Sequence, residues 1–139
     1  MMYYQLSNSR VLNHFYKLNK DKARAKPSDL MYAAINSNKT PCTTLRLLPY
    51  DQFLFLRSVL TSPDYRGQGI ASTLIRYAIN QHPCPIYTLP TPLALPLYKR
   101  LGFIEVKQKD IPVQLLVSYQ RLRQTHNAPT VMVINPRLG

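Results

Sequence analysis

The segment 52–61 (QFLFLRSVLT) constrains the fold more than any other part of this chain. Side chains alternate between the two faces of a strand. One face is predicted to carry Phe53, Phe55 and Val59, and the opposite face Leu54, Leu56 and Leu60. A strand that is apolar on both faces belongs in a sheet that is covered on both sides. The segment therefore predicts an α/β fold in which this strand is central and buried.

The rest of the chain supplies the other strands and the covering helices. Apolar spacing predicts helices over 9–19, 70–81, 92–101 and 112–123, and strands over 29–36, 42–48, 86–89, 103–107 and 130–135. We expect Ser7 or Ser9 to cap the first helix, Pro92 to open the third and Asp110 to cap the fourth. This order predicts a mixed sheet with helices on both faces. No linker or repeat interrupts it, so residues 1–139 are predicted to form a single domain.

Composition narrows the choice of partners and compartment. The 18 Lys and Arg residues outnumber the 6 Asp and Glu residues, and the net charge of +12 favours an anionic partner. That partner is a polyphosphate cofactor, an acidic protein surface or nucleic acid. No apolar run reaches the roughly 18 residues of a membrane span, and the first residues do not read as a secretory signal. We therefore predict a cytoplasmic protein with no membrane partner. Cys42, Cys84 and the three histidines lack metal-ligand spacing, which predicts reduced thiols and no metal.

The junction between strand 52–61 and helix 70–81 carries the strongest sign of chemistry. Its loop contains Gly67 and Gly69, which let the backbone approach a ligand closely. The start of the helix offers unpaired N–H groups and the positive end of the helix dipole. These features favour an anion site suited to a pyrophosphate over a plain turn that needs glycine only for its geometry. The loop lacks the Gly-Lys-Ser/Thr ending of the P-loop NTPases.

Two motifs in the expected order resemble those of one acetyltransferase superfamily. The run from Val59 to Ala71, with Arg66-Gly67-Gln68-Gly69-Ile70-Ala71, resembles the acetyl-CoA signature of the GNAT N-acetyltransferases, Arg/Gln-x-x-Gly-x-Gly/Ala. The later run Leu97-Tyr98-Lys99-Arg100-Leu101-Gly102-Phe103 resembles the second signature of that family. The resemblance covers about residues 52–106. It implies a mostly antiparallel sheet whose central parallel strands splay apart, acetyl-CoA as the co-substrate, and transfer of acetyl to an amine.

The resemblance also implies roles for particular residues. Backbone groups of Val59, Leu60 and Thr61 are expected to pair with the pantetheine arm and the acetyl carbonyl. The amides of the turn are expected to bind the pyrophosphate: Arg66, Gly67, Gln68, Gly69, Ile70, Ala71 and Ser72. Tyr98 matches the family tyrosine near the thioester sulfur, where its hydroxyl would protonate the departing thiolate. The alternative for Tyr98 is an aromatic side chain that packs its helix onto the sheet.

The chain departs from the family pattern in two ways. Many members carry Asn as a cofactor contact where this sequence has Thr91. Some members use a Glu on the central strand as general base, but this strand offers Arg57 and Ser58, with Asp51 at its start. Asp64 and Glu105 are the other nearby acids. We therefore expect deprotonation through ordered water, or uptake of an amine that is already neutral.

Helix 112–123 bears on the choice of acceptor. It is either a surface helix over the sheet edge or a basic lid over the acceptor groove, which would disfavour polyamines and suit acidic or RNA-linked amines. The acceptor is expected to be a small molecule or a peptide. Two other readings stay open: an acetyltransferase for aminoacyl-tRNA or a ribosomal target, and a non-catalytic acyl-CoA module. The protein is expected to be a monomer or a homodimer.

Overall fold

A seven-stranded sheet forms the centre of the molecule. The structure is a computed structural model that describes residues 1–125 and 129–135. The strands lie in the order β1-β2-β3-β4-β5-β7-β6. Their bounds are Met2–Leu6 (β1), Leu30–Ile35 (β2), Pro41–Pro49 (β3), Leu54–Thr61 (β4), Ile86–Thr88 (β5), Ile104–Val106 (β6) and Val131–Ile134 (β7). The central strands β4 and β5 pair in parallel, and the other neighbouring pairs of described strands are antiparallel.

Helices cover both faces of this sheet. They are α1 (Ser9–Leu18), α2 (Ile70–Ile79), α3 (Leu95–Arg100) and α4 (Leu116–Thr125). Helices α2 and α3 pack over Leu54 and Leu56 of β4. Helix α4 packs over Phe53 and Phe55, on the opposite face of the same strand, and α1 packs over Met31 of β2. This arrangement confirms the predicted α/β fold with a mixed sheet covered on both sides.

A β-bulge in β4 changes the faces on which two predicted residues lie. Arg46 of β3 pairs with Arg57, but Thr44 pairs with Leu60, so β4 holds one residue more than β3 over this stretch. Ser58, inside the bulge, has a φ of 58°. An extra residue reverses the alternation beyond it. Val59 therefore packs with the cluster of Leu54 and Leu56, and Leu60 contacts the α1 cluster, so the predicted assignment of these two residues was wrong.

Several predicted element ends also differ from the structure. The edge strand β1 was missed, because its five residues alternate poorly between exposed and half-buried. Asn8, rather than Ser7 or Ser9, caps α1, since its side chain accepts from Arg10 N at 2.8 Å.

The two later helices start downstream of their predicted positions. Pro92 does not open α3, because a turn with Ala94 N bonded to Thr91 O at 3.0 Å precedes the helix. Asp110 does not cap α4, because short 3₁₀ turns at Gln108–Asp110 and Val113–Leu115 come before it.

Candidate functional site

A cleft opens where the two central parallel strands separate. Strands β4 and β5 pair from Leu54 with Ile86 to Leu56 with Thr88, and no pairing follows. Strand β4 continues to Thr61 with β3 on its other side, so its second edge is open. The cleft beside this edge has a volume of about 610 Å³. Its walls come from the 57–61 half of β4, the loop 88–91, and helices α3 and α4.

A second cleft of about 260 Å³ follows the turn that leads from β4 to α2. It is lined by the predicted turn residues Arg66, Gly67, Gln68, Gly69, Ile70, Ala71 and Ser72. The two clefts share Thr61, Ala71 and Leu97 in their walls. They are therefore one continuous groove that runs from the parting strands to the N-terminus of α2.

The turn keeps its backbone open towards this groove. Gly67 and Gly69 have φ of 77° and 74°, which favour glycine, and a Cβ atom at either position would meet nothing within 4 Å. The first helical hydrogen bond of α2 runs from Thr73 N to Gly69 O at 3.2 Å. Within the described residues, the amides of 67–72 have no protein acceptor. Unpaired amides at a helix N-terminus provide a binding site for an anion such as phosphate.

Arg66 differs from the other turn residues. Its amide already donates to Pro63 O at 3.4 Å, and its Nε donates to Thr61 O at 3.1 Å. The side chain therefore holds the end of β4 against the turn. Arg100, at the end of α3, lines the same cleft and was not predicted to do so. Its place in the basic pair Lys99-Arg100 of the second motif was the available signal.

Tyr98 lies in the wall of the main cleft beside the last residue of β5. Its side chain is 5 % exposed, and its ring meets Phe103 edge-on with centroids 5.2 Å apart. Burial raises the pKa of Tyr98 to about 12, although a hydrogen bond with Thr88 acts in the opposite direction. Thr88 itself donates to Leu56 O at 3.1 Å, at the point where the strands part. Tyr98 therefore stays protonated near neutral pH and has a proton to donate.

Not all of the other predicted contact residues have side chains that line the main cleft. Val59, Thr61 and Thr91 line the main cleft, whereas the Leu60 side chain points to the α1 cluster. Thr91 also stabilises the turn before α3, since its Oγ1 accepts from Ala94 N at 3.3 Å. The predicted contacts of Val59, Leu60 and Thr61 involve backbone groups on the open part of β4. The orientation of the Leu60 side chain therefore does not affect the contact predicted for that residue.

Charge in the main cleft is positive. Arg57 of β4 and Arg121 of α4 line it, and the Arg57 guanidinium lies 5.4 Å from the centroid of the Phe55 ring. Burial lowers the pKa of Arg57, the charges of Arg46 and Arg121 lower it further, and Tyr50 acts in the opposite direction. The described lining contains no carboxylate. Glu105, one of the predicted nearby acids, instead pairs with Lys99 at 3.6 Å in solvent.

The described residues provide neither a metal-binding cluster nor a membrane-spanning helix. No three His, Cys, Asp or Glu side chains there lie close enough together to hold a metal ion. No helix in the described part of the chain has both the length and the apolar character to cross a membrane. Cys42 is buried, Cys84 is half-buried, and both are free thiols.

Comparison with known proteins identifies the family. Residues 27–105, more than half of the chain, match the family described as Acetyltransferase (GNAT) domain. A search of curated protein sequences finds no match.

Solved structures share the fold at low sequence identity. A GNAT-family acetyltransferase from Staphylococcus aureus Mu50 superposes with a TM-score of 0.64 at 16% identity, over 96% of this chain and 99% of that one. An aminoglycoside 6'-N-acetyltransferase complexed with coenzyme A gives 0.67 at 13% identity, over 96% of each chain. N-acetylglutamate synthase from Neisseria gonorrhoeae, complexed with coenzyme A and N-acetyl-glutamate, gives 0.71 at 11% identity, over 96% of this chain and 35% of that one.

The family match covers the parting of β4 and β5, the glycine turn and Tyr98, which are the features from which the groove is built. This chain therefore belongs to the GNAT acetyltransferase family.

Proposed function

We propose that the protein is an N-acetyltransferase that moves an acetyl group from acetyl-CoA to an amine by direct attack in a ternary complex. One observation carries the proposal: the open edge of β4 and the unpaired amides of 67–72 border one continuous groove. An extended thioester arm fits the first part of the groove, and its pyrophosphate fits the second. All described strands belong to one sheet, which supports a single domain over 1–139.

The proposed cofactor contacts follow the length of the groove. Backbone groups of Val59, Leu60 and Thr61 pair with the pantetheine arm and the acetyl carbonyl. The amides of Gly67, Gln68, Gly69, Ile70, Ala71 and Ser72 bind the pyrophosphate. Arg66 contributes by fixing the Thr61 carbonyl, and Arg100 adds positive charge beside the turn. Thr91 borders the pantetheine from the α3 side.

Tyr98 is proposed as the general acid. The amine nitrogen attacks the thioester carbonyl carbon, a C–N bond forms, and collapse of the tetrahedral intermediate breaks the C–S bond. The Tyr98 hydroxyl gives its proton to the departing thiolate and is reprotonated from solvent. The position of Tyr98 in the wall of the main cleft supports this role, because its protonated hydroxyl is available where the thiolate departs.

No carboxylate of the described lining is placed to take the proton from the amine. We propose that the amine loses this proton to ordered water or enters in its neutral form. The pH dependence of kcat/KM tests this directly. An ionisation between about pH 5 and 7 that disappears in Asp51→Asn or Glu105→Gln would identify a carboxylate base and reject the proposal.

The function as a whole is tested by binding and then by turnover. Acetyl-CoA and CoA should raise the melting temperature as their concentration increases. At 100 times the Kd, the ligand should add about 2.7 kcal/mol to the free energy of unfolding. Thiol release should then follow when an amine acceptor is added. Tyr98→Phe should keep the melting shift and release thiol at least about 100-fold more slowly.

A non-catalytic acyl-CoA module is the outcome if acetyl-CoA binds but no amine produces thiol release. Steep salt dependence of acceptor binding would instead favour an aminoacyl-tRNA or ribosomal target. A cytoplasmic location and a monomeric or homodimeric state stay predictions.

A further inference from the structure

The acceptor side of the main cleft carries two arginines without an acidic partner. Arg57 comes from β4 and Arg121 from α4, and both line the main cleft. Among the described residues, neither forms an ion pair with a carboxylate, and the ion pairs present are Arg46 with Asp29 and Lys99 with Glu105. The residues outside the described ranges contain no Asp or Glu in their sequence.

The neighbourhood increases this excess of positive charge. Arg46 is the cross-strand partner of Arg57, so a third guanidinium lies on the same face of the sheet. Asp29 offsets the charge of Arg46 by forming an ion pair with it. Arg57 and Arg121 therefore remain the uncompensated charges. Both side chains are solvent-exposed and line the same cleft, so an anion bound there is attracted by both charges.

We infer that the acetyl acceptor is an amine that also bears a carboxylate, and that Arg57 and Arg121 bind this carboxylate in the main cleft. The inference rests on the proposed function and adds the substrate class. A guanidinium binds a planar carboxylate through two parallel hydrogen bonds, so arginine suits this task better than lysine. Cationic polyamines would be repelled by the same pair.

The two arginines line the part of the groove in which acetyl transfer is proposed to occur. The cofactor groove continues past Ala71 to the glycine turn on one side, and neither arginine lines that part. Both line the part of the cleft that also contains Tyr98. A carboxylate held by the arginines would therefore leave the amine of the same molecule in the cleft with the thioester carbonyl.

Matched acceptors test the inference. Amino acids and the carboxamide of each would be compared as acceptors by kcat/KM for thiol release. 2-Aminoethyl phosphate and spermidine would be tested as two further acceptors. The wild type should prefer the acid over its carboxamide. In Arg57→Gln and in Arg121→Gln this acid-to-amide ratio should fall about 10-fold or more. The acid-to-amide ratio of each variant is compared with that of the wild type. The difference in basicity between an amino acid and its carboxamide is the same for every protein, so it does not affect this comparison.

Arg123→Gln is the matched control because it removes the same charge from α4 at a residue that contacts the Tyr119 ring rather than the cleft. It should leave the ratio as in the wild type. Arg57→Lys should retain part of the preference, and an acetyl-CoA melting shift in each variant verifies that it is folded.

Four outcomes would overturn the carboxylate assignment: an unchanged ratio in both glutamine variants, a wild-type preference for carboxamides, a preference for spermidine, or a preference for 2-aminoethyl phosphate. In these cases thiol release still occurs and the proposed acetyltransferase stands. Absence of both the melting shift and thiol release with every acceptor would overturn the proposed function, and the inference with it.

Discussion

Arg46 donates a hydrogen bond from Nη2 to Ser58 Oγ at 3.1 Å, and Ser58 is the residue that forms the bulge in β4. The buried Arg46 of β3 thereby stabilises the bulge, beyond which the side chains of β4 point to the opposite faces of the sheet. Ser58 also lines the main cleft. The shape of the open edge of β4 thus depends on a side chain of the neighbouring strand β3.

At position 58, glycine should give a more stable protein than alanine, although alanine is usually the more stabilising of the two in a strand. Ser58→Ala loses the bond to Arg46 and keeps the φ of 58°, which is unfavourable for a residue with a Cβ by about 1 kcal/mol. Ser58→Gly loses the same bond but removes this strain. Urea unfolding should therefore show that the glycine variant is the more stable of the two. A more stable alanine variant would mean that the bulge relaxes to an ordinary strand.

The ion pair beneath the bulge should contribute strongly to stability. Arg46 Nη1 lies 3.0 Å from Asp29 Oδ2, and both side chains are buried. Removal of one partner leaves the other as an uncompensated buried charge, so Asp29→Asn should lower the free energy of unfolding by about 3 kcal/mol. Arg46→Met should have a similar effect. The double variant should be more stable than the sum of the two losses predicts, by about 1 kcal/mol or more.

The exposed pair Lys99–Glu105 is the control for this experiment. Its atoms are 3.6 Å apart and its side chains are 57% and 58% exposed. Glu105→Gln should therefore change the free energy of unfolding by less than about 1 kcal/mol. A loss as large as that of Asp29→Asn would show that burial is not what distinguishes the two pairs.

Tyr98 should make the stability fall at alkaline pH. Its folded-state pKa of about 12 lies above its ordinary value of 10.0, so the unfolded chain releases this proton first. The stabilisation is complete below pH 10 and is lost as the pH rises towards 12, by up to about 1.4 kcal/mol per pH unit. Urea unfolding across this range should show a shallower decline in Tyr98→Phe. An identical slope in both proteins would contradict burial of the hydroxyl.

Gly69 should matter for acetyl-CoA binding more than its backbone strain explains. Gly69→Ala places a Cβ in the open space beside the turn at a φ of 74°. We expect the Kd for acetyl-CoA to rise roughly 10-fold, a change of about 1.4 kcal/mol, in addition to a loss of stability of about 1 kcal/mol. Isothermal titration calorimetry measures the first effect and urea unfolding the second.

Gly102→Ala supplies the comparison for this variant. Gly102 also has a positive φ, of 101°, but it ends α3 and a Cβ there would lie 3.5 Å from Ile134 Cδ1. This variant should lose stability and keep the acetyl-CoA Kd of the wild type. An equal increase in Kd for both variants would assign the effect to general destabilisation rather than to the pyrophosphate site.

Features that depend on local pattern could be predicted from the amino-acid sequence alone. The run 52–61 places apolar residues on both faces of a strand, which predicts that the strand is buried, and the glycines at 67 and 69 come just before a segment with helical spacing. The expectation that Tyr98 lies near the groove came from the resemblance of Leu97–Phe103 to the second family motif. Helix starts that depend on competing turns, as at Pro92 and Asp110, were predicted less well.

Features that depend on pairing between distant segments could be seen only in the three-dimensional structure. The sides taken by Val59 and Leu60 follow from the register of β4 on β3, which no alternation within β4 reveals. The opening of the groove depends on where β5 stops pairing with β4. Arg57 and Arg121 line the same cleft because α4 packs over the sheet. Contacts of this kind form between residues far apart in the chain, and local periodicity carries no information about them.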